Sequence, residues 1–156
     1  MKNCEFSVNQ IMDYAHFACE TMMRKYSPAE LPPQQHFFYH QGVFLAGMMQ
    51  IYEITKNEAY FSYIKDWIDL QIDATGNIMQ FNPGKLDDLQ PGILLFPLYK
   101  RTADPRYKIA LDTIAYFIRN FPRTPEGGYW HMVCCRNQMW LDGLYMAGPF
   151  GVQYGL

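Results

Sequence analysis

The sequence is short of charge and of cysteine. Charged residues account for 18% of the 156 positions, and 13 basic against 15 acidic side chains leave a formal net charge of -2, scattered along the chain. No basic stripe is available to neutralise a phosphate backbone, so nucleic acid is not an expected partner. No apolar run reaches the roughly eighteen residues of a membrane span, and the opening MKNCEFSVNQ lacks the apolar core of a secretory leader. A cytoplasmic protein without membrane contact is expected. The four cysteines, Cys4, Cys19, Cys134 and Cys135, have no framework spacing, and adjacent cysteines rarely bridge each other, which suits reduced thiols. His131 with Cys134 and Cys135 lacks a fourth ligand at zinc spacing, so no metal is expected there. A Gly-rich phosphate loop, a Gly-x-Ser-x-Gly elbow and an HExxH pair are all missing, which removes support for nucleotide, serine-hydrolase and zinc-protease chemistry.

What is present is apolar and aromatic. Hydrophobic residues make up 49% and aromatic residues 17%, which excludes a disordered tail and suits a ring-binding cleft as well as a core. The length fits one domain over residues 1–156. From Ser7 to Tyr26, apolar residues recur at helical spacing behind Ser7 as N-cap. After the breaker Ser27-Pro-Ala-Glu-Leu-Pro-Pro33 a helix from Phe37 to Lys56 is apolar on nearly all sides and should be buried. A third helix is expected from Glu58 to Asp73, turned by Gly76-Asn77. Asp87 or Asp88 can cap a fourth through Thr102, Pro105 opens a fifth through Asn120, and a sixth begins near Met139. No strand is expected, because the apolar period stays near 3.6 throughout.

Two of these joints repeat. Tyr52-x-x-Thr55-x-Asn57-x-x-Tyr60 recurs as Tyr99-x-x-Thr102-x-Asp104-x-x-Tyr107, an offset of 47 residues and the length of a two-helix unit. Stacked helical hairpins follow, either as an open solenoid or curled into a closed α/α toroid.

Chemistry concentrates in two loop-to-helix joints. In Gln138-Met-Trp-Leu-Asp142-Gly-Leu-Tyr-Met146, a carboxylate stands among apolar and aromatic residues at a helix start. It is either an N-terminal cap or a carboxyl whose pKa burial raises until it donates a proton near neutrality. Leu86-Asp87-Asp88-Leu-Gln-Pro-Gly92 has the same form, and its aspartates are either caps or partners converging on the same mouth. His36 and His40 read as helix-surface histidines.

These runs resemble the unsaturated rhamnogalacturonyl hydrolases, glycoside hydrolase family 105, related to the unsaturated glucuronyl hydrolases of family 88. The resemblance rests on Tyr39-x-x-Gly42, Asp87 before Gln90-Pro91-Gly92, the Leu98-Tyr99-x-x-Thr102 joint, Pro122-Arg-Thr-Pro-Glu-Gly-Gly-Tyr-Trp-His131, and Gln138 to Met146 with Pro149-Phe150. It implies an all-α (α/α)6 toroid, of which about six helices, roughly the first half, are present here. It also implies hydration of the 4,5-unsaturated uronic acid that ends pectin-derived oligosaccharides, with an oligosaccharide as partner and no metal or organic cofactor. Asp142 matches the general acid and base and Asp87 its partner, while Tyr39, His131, Met139 and Trp140 match substrate-binding positions. The chain departs from the family at Phe37, where tryptophan is frequent, and at Met132, where a basic residue is. Half a toroid is expected to expose apolar surface and to associate with another copy or a complementing second half. The rival expectation is a noncatalytic helical-repeat binding module or an inactive truncated chain.

Overall fold

The repeated joints fold alike, and they set the architecture. In the computed structural model, which describes residues 7–34 and 36–156, α2 (Tyr39–Thr55) meets α3 (Glu58–Asp69), and α4 (Leu95–Thr102) meets α5 (Pro105–Arg119). At the first joint Thr55 donates to the Ile51 carbonyl at 2.8 Å, Lys56 turns left-handed at φ 56°, and the Asn57 side chain accepts from Ala59 N at 3.1 Å. At the second, Thr102 donates to Leu98 at 2.7 Å, Ala103 turns at φ 54°, and Asp104 accepts from Arg106 N at 2.9 Å. The two closing tyrosines, Tyr60 and Tyr107, are both buried. Each joint thus stops one helix and caps the next through the same side-chain chemistry. Ala103 has no polar side chain to offset its left-handed strain, so Ala103→Gly is expected to raise stability by about 0.5–1 kcal/mol in urea unfolding.

The helix α1 (Val8–Lys25) opens on Ser7 as its expected N-cap, and Gln10 completes a capping box in which the two side chains bond each other's backbone. It leans on α3 through His16, whose Nδ1 lies 2.8 Å from the Tyr60 hydroxyl. α6 (Gly143–Tyr154) packs on α5 and on the turns that precede α4. Phe37, Trp67, Leu45, Leu89, Ile114 and Phe150 belong to a single buried apolar cluster. Among the described residues there is no strand, and three isolated bridges tie loops together, one of them joining Lys85 to Met132.

Several expected boundaries move, each because a side chain or a close approach outcompetes the helix. α3 ends at Asp69 instead of Asp73, because the Asp73 carboxylate takes Thr75 N at 2.8 Å and Asn77 N at 2.9 Å and closes a turn. The fourth helix does not start at Asp87 or Asp88. Both lie in a 3-10 turn, Leu86–Asp88, followed by a second, Gln90–Leu94, and neither caps a helix with its side chain. Pro91 disfavours the α conformation at Gln90 and withholds a donor, which keeps this stretch in short turns. α6 begins at Gly143, not Met139, since Gln138 to Trp140 lie outside any helix, with the Gln138 carbonyl accepting from His131 N at 2.8 Å. α2 buries one side through Gly42, Leu45 and Met49 but leaves Val43 and Ile54 exposed, so it is not enclosed all round as its composition suggested.

Gly42 fixes how closely α2 and the second 3-10 turn approach. A Cβ there would overlap Gln90 Oε1 and stand 3.0 Å from the Pro91 Cα, which is backbone and cannot rotate away. Gly42→Ala is therefore expected to cost about 1–3 kcal/mol in chemical unfolding and to displace the second 3-10 turn, which follows directly on the one that carries Asp87.

Candidate active site

Two loops bring the site together. The segment 82–88 reaches it through the Asn82-Pro-Gly-Lys85 turn, which is held from below by Asp88. That carboxylate is buried and accepts from Asn82 N at 2.8 Å, and burial pushes its pKa up. The segment 131–138 is laid against it by Leu86 N donating to the His131 carbonyl at 3.2 Å and Val133 N donating to Gly84 at 2.9 Å. Asp87 and His131 are thereby fixed on adjoining strands of loop, and the chain then passes through Met139 and Trp140 to Asp142 at the start of α6.

The His131 ring is only 1% exposed and lies between the two aspartates. Its Nε2 is 3.6 Å from Asp87 Oδ1 and its Nδ1 is 4.0 Å from Asp142 Oδ1. Trp140 stacks on the same ring, with centroids 4.0 Å apart and planes 7° from parallel, so imidazole orientation is set by packing. His131 Nδ1 and Asp87 Oδ1 are buried without a hydrogen-bond partner. Orphaned polar atoms of this kind carry a desolvation cost that a water, an ion or a ligand group can relieve.

Asp142 is neither of the two things its sequence setting allowed, a side-chain cap or a buried carboxyl. The Asp142 side chain is 51% exposed and makes no capping hydrogen bond, although the residue occupies the N-cap position of α6. Asp87 is the buried member. Desolvation pushes its pKa up, reinforced by the Asp142 charge and opposed by His131, Lys85 and His40. Lys85 thus places positive charge near the site, a contribution that the motifs did not bring out. His40 is exposed, as a helix-surface histidine would be, and its ring stacks on Tyr39 at 4.1 Å within the same motif. The sequence signal for Lys85 was its place two residues before Asp87.

The remaining candidates scatter around this centre. Met139 is exposed and its thioether occupies the space beside Gly128. An apolar cleft of about 190 Å³ opens next to Trp140, with Tyr129, Met139 and Leu144 on its walls. Phe37 has no access to a ligand, because it is fully buried and stacked on Trp67 at 6.0 Å. The cysteines grouped with His131 in the sequence are not grouped with it in space as ligands. Its carboxylate neighbours are, and the three ligand atoms of Asp87, His131 and Asp142 lie within 4.8 Å of one another. Ligands at about 2.0–2.1 Å from a tetrahedral zinc stand only about 3.3 Å apart. The two aspartates also address opposite nitrogens of one ring, so the arrangement suits proton exchange through an imidazole better than chelation.

The stacked helical hairpins, with no strand among the described residues, are those of a partial α/α toroid. The chain belongs to glycosyl hydrolase family 88, whose family pattern matches residues 14–156. Over 120 residues it is 32% identical to the unsaturated rhamnogalacturonyl hydrolase YesR of Bacillus subtilis (strain 168), an alignment covering 73% of this chain and 33% of that protein. Its fold matches a family 105 glycoside hydrolase from C. acetobutylicum ATCC 824 with a TM-score of 0.78 and 30% identity, over 96% of this chain and 39% of that one. The chain spans about a third of the length of the curated relative it matches.

Proposed function

We propose that the chain carries the catalytic aspartates of a hydrolase that removes 4,5-unsaturated uronic acid from the non-reducing end of pectin-derived oligosaccharides. The observation that carries this reading is the single buried His131 reached from both sides by Asp87 and Asp142, in a chain of this family. The reaction is hydration of a vinyl ether. The Asp142 carboxyl delivers its proton to C4, the double-bond electrons follow, and the positive charge at C5 is shared with the ring oxygen. The resulting carboxylate then takes a proton from water as hydroxide adds at C5. The hemiketal opens and the neighbouring sugar leaves. One carboxyl serves first as acid and then as base, so the usual separation between two glycosidase carboxylates does not govern the outcome.

Asp87 is the partner, and burial favours its protonated form. With His131 between the two, a proton held at Asp87 has a route toward Asp142 once substrate tightens the 3.6 and 4.0 Å separations. Trp140, Met139 and Tyr39 supply ring and thioether surface for the sugar, while Lys85 is the cation for its carboxylate and the His40 ring a further hydrogen-bonding group. We place the reaction in the cytoplasm, where the free thiols Cys19, Cys134 and Cys135 would stay reduced. Over the exposed apolar residues Leu141, Leu144 and Val152 the partner we propose is a second copy of the chain or a complementing half of the toroid.

The test follows the ultraviolet absorbance of the conjugated double bond in a 4,5-unsaturated galacturonyl-rhamnose disaccharide. Decay with the wild-type chain supports the reading. A second reading, a noncatalytic saccharide-binding module, is favoured by the half-exposed Asp142. Saturable binding of the disaccharide with no decay of the band would replace the first reading by the second.

A further inference from the structure

The loop that carries His131 holds a pair of thiols with no part in the chemistry above. Cys134 is exposed and Cys135 half-buried, both are free, and their sulfurs are 3.8 Å apart. The pair sits on a turn in which Cys135 N donates to Met132 at 3.0 Å and Gln138 N donates to Cys135 at 3.1 Å. Turns at both sides of the pair therefore fix the directions from which the two side chains leave the backbone.

A direct disulfide suits this pair poorly. Neighbouring Cα atoms across a trans peptide are about 3.8 Å apart, short of the roughly 4.4–6.8 Å that a relaxed disulfide spans. A single atom held between the sulfurs suits it well. With metal to sulfur bonds of about 2.3 Å, tetrahedral geometry places two thiolates about 3.8 Å from each other, the separation found here. By the same measure the Asp87, His131 and Asp142 ligand atoms, spread over as much as 4.8 Å, are too far apart.

We propose that Cys134 and Cys135 form a two-thiolate chelate for a soft divalent cation of the zinc or cadmium class. Two thiols lose their protons, two metal to sulfur bonds form, two bound waters are displaced, and no electron is transferred. Water completes the coordination, since the pair is open to solvent. The site lies on the hairpin whose ends are His131 and Gln138, bonded to each other at 2.8 Å, and the chain continues from there to Trp140 and Asp142. Occupancy locks the turn from which both groups extend. Its effect on turnover rests on the hydrolase reading; its existence as a metal site does not.

The experiment titrates Cd2+ into the reduced chain carrying Cys4→Ser and Cys19→Ser, so that Cys134 and Cys135 are the thiols left. The expected result is a near-ultraviolet sulfur-to-cadmium charge-transfer band that saturates at one Cd2+ per chain. Cys134→Ser and Cys135→Ser should each abolish the band in that background, and His131→Gln should leave it. Circular dichroism of each variant confirms that it is folded. Absence of the band in the folded parent overturns the proposal, as does its persistence in either cysteine variant. Saturation at one Cd2+ per two chains with metal-dependent dimerisation also overturns it, in favour of a site shared between copies. Turnover with and without Cd2+ is a separate arm: an inactive chain that still shows the band defeats the hydrolase reading alone.

Discussion

Asp142→Asn should lower turnover of the unsaturated disaccharide by about 100- to 10,000-fold, the range by which a positioned general acid accelerates proton transfer. Asparagine keeps the shape and hydrogen-bonding reach of the side chain but has no proton to deliver to C4, so kcat should fall with little change in KM. The fold should not register the change. The wild-type carboxylate is half exposed and makes no capping hydrogen bond, and surface substitutions of that kind stay within about 0.5 kcal/mol. Unfolding in urea measured beside the kinetics separates the two effects. Undiminished turnover in Asp142→Asn, from a wild type that is active, would remove the residue from the catalytic role.

Asp87→Asn should act on activity and stability in opposite directions. Its carboxylate is buried, its Oδ1 lacks a hydrogen-bond partner, and burial raises its pKa. Between the ordinary aspartate value, near about 3.9, and the raised folded value, the folded chain binds more protons than the unfolded one. Stability therefore falls as pH rises through that window, and the whole cost persists above it. Replacing the charge with a neutral amide is expected to recover about 1–3 kcal/mol at pH 7 and nothing below the unfolded pKa, where Asp87 is already neutral. Turnover should nevertheless drop by about 100-fold or more as the proton partner of Asp142 is lost. Melting curves at pH 3 and pH 7 test the sign, because a structural role for Asp87 predicts a loss of stability at both.

Residue type and flank alone do not separate the two neighbouring aspartates of the 86–88 turn, and only the family resemblance singles out Asp87. Asp87 and Asp88 share composition and flank, and both could be helix caps. In the folded chain Asp88 turns to the Asn82 amide and anchors the loop, while Asp87 turns to His131 and is left unsatisfied. Which way each side chain points depends on the 3-10 turn Leu86–Asp88, which the next turn, Gln90–Leu94 with Pro91 packed on Gly42, keeps from running on as a regular helix. Neither Pro91 nor that packing has a periodic signature. Met139 to Leu141 pose the same difficulty: their apolar character continues the pattern of α6, but Trp140 stacks on His131, a contact between residues on different arms of a loop.

By itself the sequence determined whatever is carried by neighbours along the chain. The capping residues Ser7, Asn57 and Asp104, the apolar stripes of α1, α3 and α5, and the 47-residue spacing of the two joints act within a few residues of where they stand. Their hydrogen bonds form in nearly any context, so the hairpins and the class of fold were legible. The tertiary structure alone decided where the helices next to the site begin, which aspartate is buried, and that one imidazole faces both carboxylates. Those outcomes depend on desolvation and close approach between segments as distant as Gly42, Asp87 and His131, and such free energies arise only when the chain has closed on itself.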